Sequence, residues 1–452
     1  MEDIKGVNNQ VDDTLCPIPD DKRMLSSTSY LFAWLGGCVS IGTFSLGASL
    51  VAGGLNLMQS ALAIALGSLL LVVCLVINDK LCYTTGVPYV VQLRSAFGMN
   101  GTIFPALIRA VPAVVWYGFQ SWLGGSALNE VSKTLFGYDN MILFFIGFQI
   151  FQILLSLLGF KGVKWLENIG AVFIILALTY MFYVVFTQYG DVISTKLIHI
   201  EGSWGLPFWG AVTSFFGVNT AVMLNCGDYA RELKKGYSNK KRAVVYLLSM
   251  LPPTLFMGMI GLMISVATGI MNPVVAFSTA VDNKILVVMT LGFIIFAQIT
   301  TNLLSNVIPP VYALVDIFKI KYRTSAVTVG LLAFCTFPWK LIRPESASGL
   351  DLFVLTYTAF IGPVFAVLTV DYYLLRKQKI SLNELYNADG AFKGTNYAAL
   401  VAVFIGAACA FIQVKLAFFM GSIPAGLAYY VLMKRLPISK PFTKGTVFEQ
   451  AS

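Results

Sequence analysis

Residues 109–125 read RAVPAVVWYGFQSWLGG, a stretch apolar enough to lie in lipid. Within it, Trp116 and Gln120 are four residues apart, so they project from the same face of a helix. Trp116 offers a flat π surface, and Gln120 offers a donor and an acceptor in one plane. The pair suits a small, flat, polar heterocycle. The alternative is ordinary packing by Trp116 and an interhelical hydrogen bond from Gln120.

The composition around this stretch is that of a membrane protein. Of the 452 residues, 57% are hydrophobic and only 12% are charged. A soluble domain usually carries about 25% charged residues. The chain is therefore predicted to be an all-α, polytopic membrane protein.

Twelve apolar runs are long enough to cross a hydrocarbon core of about 30 Å. Nearly all polar sequence lies in the short connections between them, so no separate soluble domain is predicted. Numbered 1 to 12 in chain order, the runs cover residues 29–51, 57–77, 103–128, 141–160, 168–187, 206–226, 243–268, 285–306, 325–341, 352–375, 396–413 and 416–433.

The basic residues predict the orientation of these runs. Twenty-five of the thirty-one Lys and Arg residues fall on one side if the N-terminus is inside, and this number includes Arg109, near the inner end of run 3. This asymmetry places both termini in the cytoplasm. It also accounts for the net charge of +9 without nucleic acid as a partner. The exceptions are Lys133, Lys196, Lys284, Lys340, Arg343 and Lys415.

Residue types needed for several other functions are scarce. The seven cysteines form no Cys-x-x-Cys pair, and the single histidine, His199, lies in a polar loop. These observations argue against a disulfide framework, a resident metal site and imidazole catalysis. No nucleophile with a partner base and no carboxylate pair is evident within a run, so the chain is not expected to be an enzyme.

Runs 1 and 6 carry residues that weaken a helix. The stretch 32–54, which begins in run 1, contains six glycines, among them Gly36 and Gly37, and run 6 contains Gly217, Asn219 and Asn225. Such residues let a backbone open or approach a ligand. Breaks in the first helix of each half are typical of inverted-repeat transporters. The alternative is close helix packing through small residues.

Run 8 holds another polar cluster, with Thr300 and Thr301 side by side. Their hydroxyls, facing open carbonyls of a broken first helix, would form an oxygen cage for a hard monovalent cation. The alternative is that each hydroxyl bonds a carbonyl one turn earlier on its own helix.

Charged residues are not evident near the centre of any run, and proton-coupled carriers commonly use a carboxylate or histidine there. A site of Trp, Gln, Asn and Thr without a titratable group suits a neutral substrate. A channel would not need breaks in runs 1 and 6. A proton-driven carrier of the same substrate class stays open as the main alternative.

Four stretches together resemble the nucleobase–cation symporter family. They are RAVPAVVWYGFQSWLGGSALNEV from residue 109, NCGDYAR at 225–231, TTNLLSNVIPPVYAL at 300–314, and PWK followed by GPVFAVLTVDYYLLRKQKISLNELY ending at 386. The resemblance covers about residues 20–435. It implies a leucine-transporter-type fold, with two inverted repeats of five helices, discontinuous helices 1 and 6, and two peripheral helices.

This resemblance also implies domain boundaries and a mode of action. It implies sodium symport of a small nitrogen heterocycle by alternating access, and we expect a monomer in a cell membrane. The boundaries are a cytoplasmic tail at 1–27, the first repeat at 28–190, the second at 204–376, helices 11 and 12 at 394–435, and a cytoplasmic tail at 436–452.

Site residues follow from the resemblance, position by position. Trp116 resembles the aromatic residue that stacks on the substrate, and Gln120 and Asn306 resemble residues that bond its edge. For sodium, it points to backbone oxygens of Gly37, Ser40 and Ala297 and to the hydroxyls of Thr300 and Thr301. Asn225 and Asp228 are expected to serve the inner part of helix 6.

One position departs from the family. Members with a ring sandwich carry Trp or Phe where this chain has Asn219. Phe215 or Phe216 could replace that ring only if the broken helix is rotated. Otherwise Asn219 adds a hydrogen bond, which makes allantoin, a hydantoin or a vitamin-like heterocycle as plausible as uracil or cytosine.

Overall fold

The computed structural model describes residues 12–38, 41–50, 53–158, 176, 178–270, 275, 284–341 and 347–449, and every regular element in that part of the chain is a helix. The first half contains α1 (Ser27–Cys38), α2 (Ile41–Ser49), α3 (Leu57–Thr85), α4 (Tyr89–Gln92), α5 (Arg94–Phe97), α6 (Ile103–Phe136), α7 (Met141–Ser156) and α8 (Gly190–Ile193). Residues 178–188 are also helical.

The second half continues with α9 (Leu206–Gly217), α10 (Thr220–Leu224), α11 (Gly227–Ala230), α12 (Asn239–Thr268), α13 (Lys284–Thr301), α14 (Ile308–Phe318), α15 (Tyr322–Phe334), α16 (Pro338–Leu341), α17 (Ala347–Thr369), α18 (Tyr397–Ile412) and α19 (Ala417–Arg435). Three π-helical turns cover Ser194–Ile198, Asn302–Val307 and Val370–Leu375. Short 3-10 turns cover Asp13–Leu15, Asp20–Lys22, Val414–Leu416 and Pro437–Thr443.

Helices coincide with the predicted runs wherever the structure describes them. Within the described ranges, six helices are long and apolar enough to span a membrane, and a seventh span arises if α1 and α2, which meet at a bend of 55°, count as one. The molecule is therefore a multi-pass helical protein. Much of run 5 lies outside the described residues.

Run 6 is discontinuous, as its sequence predicts. Helix α9 ends at Gly217, and Asn219 leaves helical geometry at φ −104° and ψ 1°. A second interruption at Asn225 separates α10 from α11. In run 1, α1 ends at Cys38 and α2 begins at Ile41, and the residues between them are not described. Run 6 is therefore divided into short helical segments, unlike the continuous helices α3 and α12.

The helices pack in two groups. Helix α12 contacts α1, α2 and α3, and α3 also contacts α9, so runs 1, 2, 6 and 7 form one group. Helix α6 contacts α7, α13, α14 and α15, so runs 3, 4, 8 and 9 form the other. Helices α17, α18 and α19 pack against one another. Elements of the two groups face each other where α1 contacts α13.

Small residues in run 1 also serve close packing. A Cβ atom added at Gly47 would lie 2.0 Å from the carbonyl oxygen of Gly258, and one at Gly261 would lie 2.1 Å from that of Phe44. Helices α2 and α12 therefore approach backbone to backbone. Gly47 therefore supports the alternative that small residues in run 1 serve close helix packing, even though the same run is interrupted after Cys38.

Buried ion pairs lie at the ends of the runs predicted to face the cytoplasm. Asp79 accepts hydrogen bonds from Nε and Nη2 of Arg242, both at 2.9 Å. Arg94 contacts Asp316 at 2.6 Å. The sequence places these charges at run ends, and their mutual pairing explains how they are buried, because a buried charge is costly unless it is paired.

Candidate functional site

One small cavity lies between runs 1, 3, 6 and 8. Trp116, Gln120, Asn219 and Asn306 line it, as do Gly37 and Thr301. Its volume is about 30 Å³, on the order of the space that one water molecule takes. Its walls must separate to admit a heterocycle.

Trp116 and Gln120 reach the cavity from α6. Trp116 is 7% exposed, and its ring is held edge-on against Phe119, with ring centroids 5.3 Å apart and planes at 88°. Edge-to-face contact fixes an indole while leaving a face for another ring. Trp116 is the one aromatic residue among the described residues that line this cavity.

Asn306 is held by a relay of amides. Its Nδ2 donates to Oδ1 of Asn302 at 2.8 Å and to Oε1 of Gln120 at 3.3 Å. Asn302 in turn donates to the carbonyl of Tyr117 and to Oγ of Ser121, both at 3.3 Å. The relay ties run 8 to α6 and orients the side chains of Gln120 and Asn306 at the cavity.

Two amide side chains at the cavity keep hydrogen-bonding groups that could bind a ligand. Within the described part of the chain, the hydrogen bond found for the Gln120 side chain uses its oxygen, so its N–H groups have no protein partner. The side chain of Asn219, 6% exposed, makes no hydrogen bond to a described residue. Donors and acceptors at an aromatic face are the groups that read the edge of a polar ring.

Phe216 is not brought to the cavity. It is fully buried on the far side of α9, with its ring 4.5 Å from that of Phe418 and 5.4 Å from that of Phe419. With α9 rotated in this way, the residues that follow it, Val218 and Asn219, line the cavity. The hypothesis that Phe216 completes a ring sandwich receives no support from this arrangement.

The candidate cation residues meet at the start of the break in run 1. Thr301 Oγ1 donates to the carbonyl of Gly36 at 3.0 Å. Thr300 Oγ1 lies 3.5 Å from the same oxygen, 3.2 Å from that of Ala297 and 3.3 Å from that of Phe296. Thr300 thus bonds within its own helix, as the alternative predicts, and also makes a longer bond to run 1, while Thr301 makes the shorter bond to run 1.

Gly37 and Ser40 are also predicted to bind sodium through their backbone oxygens. Gly37 lines the cavity, and a Cβ there would lie 2.5 Å from Cδ2 of Leu304. The carbonyl to which Thr301 donates is that of Gly36. Ser40 lies outside the described residues. No cluster of three or more His, Cys, Asp or Glu residues able to hold a metal occurs in the described ranges.

Arg109 also lines the cavity, and the sequence interpretation missed it. It is 1% exposed and lies well inside α6. The expectation that the site has no ionisable group is therefore wrong, because that expectation treated Arg109 as an anchor at the end of a run. Its position seven residues before Trp116 is the signal that could have revealed it, since that spacing keeps one helix face.

A larger pocket lies beside the first part of run 6. Its volume is about 360 Å³, and it lies between α2, α9, α17 and the start of α19. Ser214, Gly217 and Thr358 line it. Val218, the next residue in the chain after Gly217, lines the small cavity.

A discontinuous helix beside a buried polar cavity, in a helical membrane protein, defines the class of secondary transporters. The chain belongs to the family of permeases for cytosine/purines, uracil, thiamine and allantoin, which it matches over residues 17–432. The resemblance drawn from its motifs is thereby confirmed. The members of this family are transporters.

Relatives agree with this assignment. The chain is 26% identical over 431 residues to a hydantoin permease of Microbacterium maritypicum, covering 91% of this chain and 86% of that protein. It is 26% identical over 477 residues to an allantoin permease of Bacillus subtilis strain 168, covering 95% and 94%.

A solved structure shares the fold. It is that of Mhp1, a nucleobase-cation-symport-1 family transporter, in a closed conformation with bromovinylhydantoin bound. The TM-score is 0.86 with 24% identity, over 96% of this chain and 99% of that one.

Proposed function

We propose that this protein carries a small neutral nitrogen heterocycle across a cell membrane by sodium symport and alternating access. The observation that carries the proposal is the convergence of Trp116, Gln120, Asn219 and Asn306 on one cavity. An indole face with amide donors and acceptors matches a flat ring with N–H and C=O groups at its edge. Nucleobases, hydantoins and allantoin share this chemistry.

The packing supports two inverted repeats of five helices. If each run is exchanged for the run five positions away, the contact of run 1 with run 7 becomes that of run 6 with run 2, and both occur. The contacts of run 3 with run 8 and of run 2 with run 7 are unchanged by the exchange, and both occur. We further propose twelve spans, cytoplasmic termini, a monomer and the repeat boundaries given above.

Sodium coupling is supported by the contact between runs 8 and 1. Carbonyl and hydroxyl oxygens of Gly36, Ala297, Thr300 and Thr301 lie within one local network. Such hard, neutral ligands suit Na⁺. A cation held there would draw run 1 of one helix group towards run 8 of the other, and so would favour one state of the carrier.

Proton coupling is the second candidate, because a buried carboxylate lies close to the cavity. Asp228 is 2% exposed, and its Oδ2 accepts a hydrogen bond from Asn225 at 3.1 Å. Asn225 also accepts one from Arg109, which lines the cavity. Intramembrane carboxylates commonly serve proton transport.

Two measurements test the proposal. A thermal-shift screen of purified protein against uracil, cytosine, hydantoin and allantoin should show stabilisation by at least one, and stabilisation by none refutes the substrate class. Uptake of the hit into proteoliposomes should then follow an imposed Na⁺ gradient. Uptake that follows a pH gradient in sodium-free buffer instead establishes the second candidate.

A further inference from the structure

The most conspicuous group at the cavity that the proposed function leaves unexplained is the guanidinium of Arg109. Residues 109, 116 and 120 are spaced by seven and four, so they share one face of α6. Arg109 lies two turns before Trp116, about 10 Å along the helix axis. It therefore occupies the end of the cavity nearer the predicted cytoplasmic side.

Unlike Arg94, Arg242 and Arg376, Arg109 has no carboxylate within 4 Å among the described residues. Its hydrogen bonds go to uncharged groups. Nε donates to Oδ1 of Asn225 at 2.7 Å, and Nη2 donates to the carbonyl of Ser305 at 2.5 Å. Arg109 thus binds run 6 of one helix group and run 8 of its own group at the same time.

The Ser305 carbonyl needs such a donor because of the sequence that follows it. In an α-helix its partner would be the N–H of residue 309, and in a π-helical turn that of residue 310. Both positions are proline, which has no N–H. A buried carbonyl without a partner is costly. The guanidinium of Arg109 supplies the missing donor.

This bond lies next to the substrate-binding residues. Ser305 belongs to the π-helical turn Asn302–Val307, which carries Asn306. The hydroxyl of Tyr229 donates to the preceding carbonyl, that of Leu304. Donors from α6 and from the end of run 6 therefore hold two successive carbonyls, and the position of Asn306 depends on them.

The bond to Asn225 crosses between the two helix groups. Asn225 interrupts run 6 and donates to Oδ2 of Asp228, and Oδ1 of Asp228 accepts the backbone N–H of Tyr89 at 2.7 Å. Arg109 thereby joins α6 to a rigid relay at the inner end of the cavity. The inner end cannot open between α6 and run 6 until the bond from Arg109 to Asn225 breaks.

We propose that Arg109 is a positioning residue with two separable tasks, an inference that rests on the proposed transport function. Its bond to Ser305 orients the turn that presents Asn306 to the substrate. Its bond to Asn225 locks the inner end of the cavity shut. Because the guanidinium of Arg109 already makes these two hydrogen bonds, it does not require a charged substrate as a partner.

The lock is tested without any substrate. Val222 lines the cavity and accepts a near-isosteric Val222→Cys probe. In inside-out vesicles, a membrane-impermeant methanethiosulfonate should modify this position about tenfold faster when Arg109→Gln or Asn225→Ala is added, the ratio expected for one lost hydrogen bond to a charged group. Equal rates in all three proteins overturn the lock.

A matched control separates the lock from general loosening. Arg376 is another buried arginine, bonded to Asp371 and to the carbonyl of Phe442 away from the cavity. Arg376→Gln should leave the modification rate unchanged. If it accelerates modification as much as Arg109→Gln does, the effect is not specific to Arg109 and the proposal fails. Arg109→Lys provides the same test if the glutamine variant does not fold.

The positioning task is read from ligand affinity, measured with whichever of uracil, cytosine, hydantoin and allantoin stabilises the parent protein. Arg109→Gln should weaken binding about tenfold, whereas Asn225→Ala, which keeps the Ser305 bond, should change it less. Pro309→Ala restores an N–H for the Ser305 carbonyl, so adding it to Arg109→Gln should recover part of the affinity. Without recovery, the carbonyl is not the cause and positioning is refuted.

If none of the four compounds binds, the proposed function is refuted instead. The modification rates, which need no substrate, still test the lock.

Discussion

Substitution of Thr301 by alanine tests the sodium site most directly. Thr301 is 3% exposed, and its hydroxyl spans from run 8 to the carbonyl of Gly36 in run 1. Alanine removes this oxygen and leaves the stacking and edge contacts of the substrate in place. The matched control is Thr301→Ser, which keeps the hydroxyl and loses one methyl group.

The expected size follows from the charge on the ion. A polar group that contacts a charged partner is worth about 1.5–3 kcal/mol, so loss of the Thr301 oxygen should weaken Na⁺ binding roughly 10- to 150-fold. By linkage, sodium and substrate raise each other's affinity by the same factor. Substrate affinity of Thr301→Ala at a fixed, subsaturating NaCl concentration should therefore fall towards its sodium-free value.

The assay is substrate binding to purified protein, titrated with NaCl against choline chloride at constant ionic strength. The wild-type protein and Thr301→Ser should show a sodium-dependent rise in affinity, and Thr301→Ala should need much more NaCl for the same rise. If the wild-type protein binds equally well in both salts, sodium coupling is wrong. If the NaCl midpoint of Thr301→Ala equals that of the wild type, the hydroxyl is not a ligand.

Further predictions concern the ring site and the packing. Trp116→Ala should lose about 1–3 kcal/mol of binding free energy, the range for a ring stacked on an aromatic side chain, and Trp116→Phe should lose less; calorimetry measures both, and unchanged affinity in the alanine variant removes Trp116 from the site. Gln120→Ala and Asn306→Ala should each weaken binding by about 1–3 kcal/mol through an unpaired buried group, and a ligand-bound structure with neither side chain in hydrogen-bonding range contradicts this. Gly47→Ala should destabilise the fold by about 1–3 kcal/mol through overpacking, whereas Gly292→Ala, with open space around it, should not; equal melting temperatures for the two variants would refute the packing argument.

The predicted residues that do line the cavity could be found because they share local patterns. Trp116 and Gln120 are one helical turn apart, so their common face follows from helix geometry alone. The polar residues of run 8 stand out in an apolar segment, and the resemblance assigned them roles. Helix positions followed from the apolar runs for the same reason, since lipid requires long apolar segments.

Phe216 shows where local reasoning ends. A break in a helix leaves the rotation of the preceding segment undetermined by sequence, because no intrahelical hydrogen bond carries the phase across it. The packing of Phe216 on Phe418 and Phe419 fixes that rotation. Those two residues lie about two hundred positions away in the chain. Which residue of run 6 lines the cavity is therefore a property of tertiary packing.

Arg109 was missed for a different reason. An arginine near the end of an apolar run usually extends its side chain to the interface, and this expectation placed Arg109 among the cytoplasmic anchors. Helix α6, however, covers Ile103–Phe136, so Arg109 lies more than a turn inside it. The sequence did carry a sign of what holds the guanidinium there. Pro309 and Pro310 deprive the Ser305 carbonyl of both helical donors, and a buried carbonyl in lipid must find one elsewhere. An arginine on the cavity face of the neighbouring helix meets that requirement, and the orphaned carbonyl explains how this charge is buried although no carboxylate of a described residue lies within 4 Å of it.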